Sequence, residues 1–159
     1  MTIPTKTELI SIILNHLEQG VREAQDSLNV LNQSMSEETK SSAGDKYETQ
    51  REMLQSELNL AEKQKIHKKE QLITFSHLIS VVENSTDTEK CVPGRFVEIS
   101  LNGNTILGFL GLGFGDIKSS SLIIKGIGLD SPLGKQLLNV RKGDSINFNQ
   151  KSIFISNCF

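Results

Sequence analysis

Two carboxylates set three residues apart, Asp45 and Glu48, are the pair in this sequence best placed to do chemistry. In a helix that spacing puts both on one face of the first turns. There they either cap the helix, as an acid at the N-cap with Glu at N3 does in a capping box, or present free oxygens that the helix dipole favours. Both can hold at once, because a capping carboxylate keeps a second oxygen. The pair lies within Ser41–Glu52, Ser-Ser-Ala-Gly-Asp-Lys-Tyr-Glu-Thr-Gln-Arg-Glu, with Tyr47 and Arg51 beside it.

Other residue sets offer less. Lys63, Lys65, Lys68 and Lys69, with His67, form a basic band. Such a band is either a solvated face or a contact for phosphate or an acidic protein groove. His16, His67 and His77 have no Cys or second His at metal-ligand spacing, so histidine ligation is not expected. Gly108, Gly111, Gly113 and Gly115 match neither GxxxxGK[ST] nor GxGxxG, and read as strand bends and a loop. A nucleophile needs an activating base, and no Ser/His/Asp or Cys/His set can be assembled. Self-contained catalysis is not expected.

The elements that must position the acidic pair come next. From Pro4 to Glu38, apolar residues fall at Ile10, Leu14, Leu17, Val21, Ala24, Leu28, Leu31 and Met35, in alternating steps of four and three. This is an unbroken a/d seam made for one long partner. Pro4, Thr5 and Thr7 mark its start, and Ile12 and Ile13 widen its base. The seam returns from Asp45 to Glu83 at Tyr47, Arg51, Leu54, Leu58, Ala61, Lys65, Lys68, Leu72, Phe75, Ile79 and Val82. Read antiparallel, Met35 faces Tyr47, Leu28 faces Leu54 and Ile10 faces Leu72, with the polar run Ser34–Ser42 as the turn. The expected product is a helical hairpin spanning 1–84, roughly 50 Å long at ~1.5 Å per residue, with its acidic tip near 41–52.

After the linker-like Asn-Ser-Thr-Asp-Thr at 84–88 the pattern changes to short strands. Phe96–Leu101, Asn102-Gly103 and Thr105–Leu110 predict a hairpin, and Ser121–Ile127, Ser145–Phe148 and Ser152–Ser156 three further strands. Ser131-Pro132-Leu133-Gly134-Lys135-Gln136-Leu137-Leu138 predicts a short capped helix. Residues 90–159 therefore read as a small α+β domain. With 36% apolar and 5% aromatic residues, a coiled coil plus a small sheet domain suits the composition better than one large core. Residues 1–90 carry 10 Lys/Arg against 15 Asp/Glu, net −5, and residues 91–159 carry 7 against 4, net +3, together the −2 of the chain. Two surfaces with separate partners follow from that imbalance. Cys91 and Cys158 have no CxxC spacing; a reducing cytosol is the simplest reading, although the two could be neighbours in a sheet. No signal peptide and no membrane span is read from the sequence, so a cytoplasmic protein is expected.

The order of these parts resembles the Gre family of bacterial transcript-cleavage factors. Gly44-Asp45-x-x-Glu48 is similar to that family's acidic tip. Ser131, Pro132, Leu133, Gly134 and Lys135, followed by Lys142, Gly143 and Asp144, are similar to its C-terminal signature. The resemblance implies an FKBP-like C-terminal domain that docks on RNA polymerase, and a hairpin that enters the secondary channel. It implies that Asp45 and Glu48 help hold a Mg²⁺ shared with the polymerase and so stimulate cleavage of backtracked nascent RNA. Mg²⁺ prefers hard oxygen ligands and often takes only one or two carboxylates. The chain would be a monomeric accessory factor, binding no cofactor by itself and meeting the RNA 3′ end only in the complex. Two other expectations stay open: a secondary-channel regulator that inhibits without cleaving, and a coiled-coil adaptor or chaperone-like protein.

Overall fold

The structure, a computed structural model, describes residues 4–38, 44–83, 87, 89–101, 104–119 and 122–159, leaving out the side chains at 38, 45–47 and 101. Two long helices, α1 (Lys6–Glu38) and α2 (Asp45–Glu83), precede six strands and one short helix. In chain order these are β1 (Phe96–Leu101), β2 (Asn104–Gly111), β3 (Asp116–Ser119), β4 (Leu122–Gly128), α3 (Pro132–Leu137), β5 (Ser145–Phe148) and β6 (Lys151–Cys158). The expected fold class, a helical hairpin followed by an α+β domain, is the observed one. Backbone contacts divide the chain into two compact units: 15–72, and 1–14 together with 73–159.

Within 15–72 the two helices run antiparallel. Leu28 shares a buried cluster with Leu58 and Ala61, while a Cβ built at Gly20 would stand 3.3 Å from Cδ of Lys68. One helix number rises as the other falls. The register differs from the expected one, because Leu28 meets residues four to seven positions beyond Leu54. The cause lies in Ser34–Glu37, which continue α1 rather than turning. Ser34 Oγ donates to Val30 O at 3.1 Å and Ser36 Oγ to Gln33 O at 2.8 Å, so local hydroxyl bonds keep these polar residues helical. Ser34–Glu37 therefore belong to α1 and not to the turn; 39–43 lie outside the described residues.

In the other unit the sheet order is β3-β4-β2-β1-β6-β5, antiparallel except where β2 runs parallel to β4. Leu101 pairs with Asn104, so the chain reverses within two residues; Asn102 and Gly103 themselves lie outside the described residues. β3 was not expected. It is short, carries one buried residue, Ile117, and pairs antiparallel with β4, where Lys125 Nζ donates to Asp116 Oδ2 at 2.7 Å. Alternation along the strands gives the sheet two apolar faces. One packs Val97, Ile99, Leu110, Ile127, Ile153 and Ile155 with Leu137 of α3. The other carries Phe96 and Phe109, whose ring lies 4.9 Å from that of Phe75 at the base of α2.

The start of α1 has a capping box. Glu8 N–H donates to Thr5 Oγ1 at 3.3 Å, and Thr5 N–H donates to Glu8 Oε2 at 2.7 Å. Here the buried residues are Leu9 and Ile13, not the expected seam residues Ile10 and Leu14, which are half-buried. The heptad seam gives way to an i, i+4 stripe where the helix belongs to a globular unit rather than to a coiled coil.

Candidate functional site

The acidic pair stands at the start of α2. Asp45 is the first helical residue, preceded by Gly44 at φ 144°, so Glu48 is the fourth rather than the third position of the helix. That places Gly44 at the cap, one residue earlier than the capping-box expectation. The side chains of Asp45 and Tyr47 lie outside the described residues. Glu48 and Arg51 are exposed. A helix N-terminus has backbone N–H groups without intrahelical acceptors and carries partial positive charge. Two carboxylates are hard oxygen donors of the kind Mg²⁺ accepts, but two alone leave most of an octahedral shell to water or a partner.

The basic band is not one surface. Lys63 and Lys69 are exposed, whereas Lys65 and Lys68 are half-buried in the seam. Gly20, which weakens an isolated helix by about 1 kcal/mol relative to Ala, leaves room for the Lys68 stem. A groove of about 500 Å³ opens there, lined by residues that include His16, His67, Lys68, Glu23 and Gln64. Two histidines that the sequence places 51 positions apart therefore line one groove, which periodicity alone did not show. Among the described residues, no three His, Cys, Asp or Glu side chains gather as a metal site.

The C-terminal motif resolves largely into structure. Ser131 caps α3, its Oγ accepting from Gly134 N–H at 3.0 Å and donating to Gly128 O at 2.7 Å. Pro132 takes the first helical position, where its missing N–H costs nothing. A Cβ at Gly134 would collide with Gly128 O, so only glycine lets α3 sit against the end of β4. Leu137 is fully buried and Leu133 packs on the same core. Lys142, Gly143 and Asp144 form the turn into β5. Lys142 N–H donates to Glu89 O at 3.0 Å, and Gly143 N–H to Ile155 O at 2.8 Å. The Asp144 carboxylate accepts from Arg141 N–H at 2.8 Å. Gly143 has φ 91°, the left-handed region that glycine enters without strain. What remains for a partner is the exposed remainder: Lys135, Leu138, Lys142 and the outer face of Pro132.

Beside this turn Arg141 Nη2 meets Asp87 Oδ2 at 3.1 Å. The Glu89 N–H donated to Asp87, and then the Arg141 charge, hold that carboxyl below its ordinary range. Cys91 and Cys158 form a disulfide with Cα atoms 5.9 Å apart, the arrangement left open as sheet neighbours rather than the simpler reading of a reducing cytosol. The expectation of two reduced thiols is corrected on that point. Among the described residues no helix is long and apolar enough to cross a membrane.

No protein-family profile matches the chain, and no curated protein sequence matches it. Among solved structures, similar ones include the following three. One is a crystal structure of GreA factor homolog 1 (Gfh1) from Thermus thermophilus, at 16% identity over 96% of this chain and 93% of that one, with a TM-score of 0.36. Another is Gfh1 of Thermus aquaticus, at 18% identity over 89% and 94%, with a TM-score of 0.35. The third is described as the transcription factor Gfh1, at 20% identity over 91% and 92%, with a TM-score of 0.36. Superposition at that level is loose, and neither activity nor partner transfers from it to this chain.

Proposed function

We propose that the chain is an accessory factor of RNA polymerase that stimulates the polymerase's own cleavage of backtracked nascent RNA. The observation that carries the reading is the division of labour between the two motifs. The turn between the paired helices offers Asp45 and an exposed Glu48 at a helix start, where no bond to the fold explains the Glu48 carboxylate among the described contacts. The α3–β5 segment offers Lys135, Leu138 and Lys142 on a rigid, capped support.

In this reading the α3–β5 segment docks on the polymerase and the hairpin turn enters the secondary channel. Asp45 and Glu48 would hold a Mg²⁺ shared with the polymerase. In a two-metal site such an ion stabilises the attacking and leaving oxygens of an in-line displacement. The chain's own contribution is to supply the carboxylates, orient the water and leave the other metal to the polymerase. It has no nuclease activity alone. Of the four lysines in the basic band, Lys63 and Lys69 are the exposed ones and would approach RNA or polymerase.

Purified chain added with Mg²⁺ to stalled polymerase complexes is expected to shorten the RNA from its 3′ end. Binding without shortening would point to the non-cleaving regulator. Absence of binding would leave a coiled-coil adaptor.

A further inference from the structure

We infer that the Cys91–Cys158 bond is a redox-controlled staple that sets the order of the segment from Asn139 to Lys142. The inference rests on the docking role proposed above for the α3–β5 region. Both cysteines are buried, with 0% and 4% of their surface exposed, and Cys158 lies in β6 opposite Val97 of β1. Cys91 is the end of a strap that holds Asp87 and Glu89–Cys91 against 139–142. Cys91 N–H donates to Val140 O at 2.7 Å, Asn139 N–H donates to Cys91 O at 2.9 Å, and Lys142 N–H donates to Glu89 O at 3.0 Å. Arg141 pairs with Asp87, and Arg95 Nη1 donates to Lys90 O at 3.1 Å.

These bonds make reduction and opening one event. A thiolate reaches a disulfide sulfur only by direct approach, and here both cysteines are buried in the core with Val97, Ile99 and Leu137, so the segment that carries Cys91 must move before either sulfur is met. Lifting the strap breaks the same hydrogen bonds that order Asn139, Val140 and Lys142. The reductant is a dithiol or a pair of small thiols. Its thiolate bonds to one Sγ as the S–S bond breaks, and a second thiolate resolves the mixed disulfide. Two electrons and two protons pass to the protein, leaving two cysteine thiols and the reductant as its disulfide. Without the covalent tie the strap is held only by its backbone hydrogen bonds, the part-buried Arg95–Lys90 bond and the exposed Arg141–Asp87 pair, so its local opening no longer works against a covalent link.

The test compares the full chain oxidised and in excess dithiothreitol, with the thiol state read by alkylation and mass. Amide exchange at Cys91, Asn139 and Lys142 is expected to accelerate on the order of tenfold in the reduced chain. Affinity for RNA polymerase is expected to fall with it, and both are expected to recover on reoxidation with oxidised glutathione. A chain with Cys91→Ser and Cys158→Ser should behave as the reduced form under both conditions; the unmodified chain decides the matter if that variant does not fold. Equal exchange in the two states overturns the staple, and altered exchange with unaltered polymerase affinity overturns its control of docking. If neither state binds polymerase, the proposed function fails by itself and amide exchange still decides the staple.

Discussion

The hairpin turn and the α3–β5 segment both carry short motifs with acids, glycines and lysines, yet their residues answer to different causes. In α3–β5 nearly every motif residue has an internal partner: Ser131 caps, Gly134 makes room for Gly128 O, Leu137 fills the core and Asp144 receives the Arg141 N–H. At the hairpin turn, Glu48 is exposed and lies ten residues before Leu58, the first buried residue of α2 among the described ones. A motif that the fold explains says little about partners except through its exposed residues. A motif residue such as Glu48, exposed and without an internal partner among the described contacts, is the better place to look for work.

That contrast can be broken by substitution. Reducing the Cys91–Cys158 bond should have the largest effect on stability. It closes a loop of 67 residues, and the chain-entropy relation gives about 4 kcal/mol for that length. Denaturant titration of the oxidised and reduced chains measures it, and a change under ~1 kcal/mol would mean that the unfolded chain is hardly constrained by the bond. Gly134→Ala comes next, at about 3 kcal/mol, since a methyl would meet backbone that cannot move aside. Ser131→Ala should cost about 1 kcal/mol through the lost cap. Glu48→Ala, at an exposed position, should stay within about 0.5 kcal/mol. If Glu48→Ala proved as damaging as Ser131→Ala, the distinction between the two regions would collapse.

The smallest effect is on pH dependence. The Thr5 backbone N–H and then its hydroxyl lower the pKa of Glu8 below its ordinary 4.5, and the Glu89 N–H and then the Arg141 charge lower that of Asp87 below 3.8. Each carboxylate binds protons less readily folded than unfolded. Its contribution is therefore complete above the ordinary carboxylate range and is lost as pH falls through the lowered value. Thermal unfolding between pH 6 and 3 should show a shallower loss in Glu8→Gln than in the unmodified chain. Both groups are exposed, so the difference should be small.

The helices were legible because apolar residues in alternating steps of four and three leave few alternatives. Their register was not, because Ser34 and Ser36 look like turn residues but bond back to their own helix. The base of α1 misled for a related reason: heptad spacing is a coiled-coil rule, and Leu9 and Ile13 belong to a globular unit. Five strands were readable from β-branched runs and the Asn102-Gly103 signal. β3 was not, since Asp116–Ser119 buries only Ile117. The cap, the proline and the two leucines of α3 were readable locally. The need for Gly134 was not, because the atom that excludes a side chain is Gly128 O, brought there by the fold. The pairing of Cys91 with Cys158 and the placing of His16 and His67 on one groove depend on contacts distant in sequence, which spacing does not encode.

The claim that the hairpin turn is the working end is tested most directly in stalled polymerase complexes with Mg²⁺. Asp45→Ala combined with Glu48→Ala is compared with the unmodified chain for polymerase affinity and for 3′ shortening of the RNA. Retained affinity with shortening abolished is the predicted result. Shortening at the unmodified rate, with affinity intact, would contradict it.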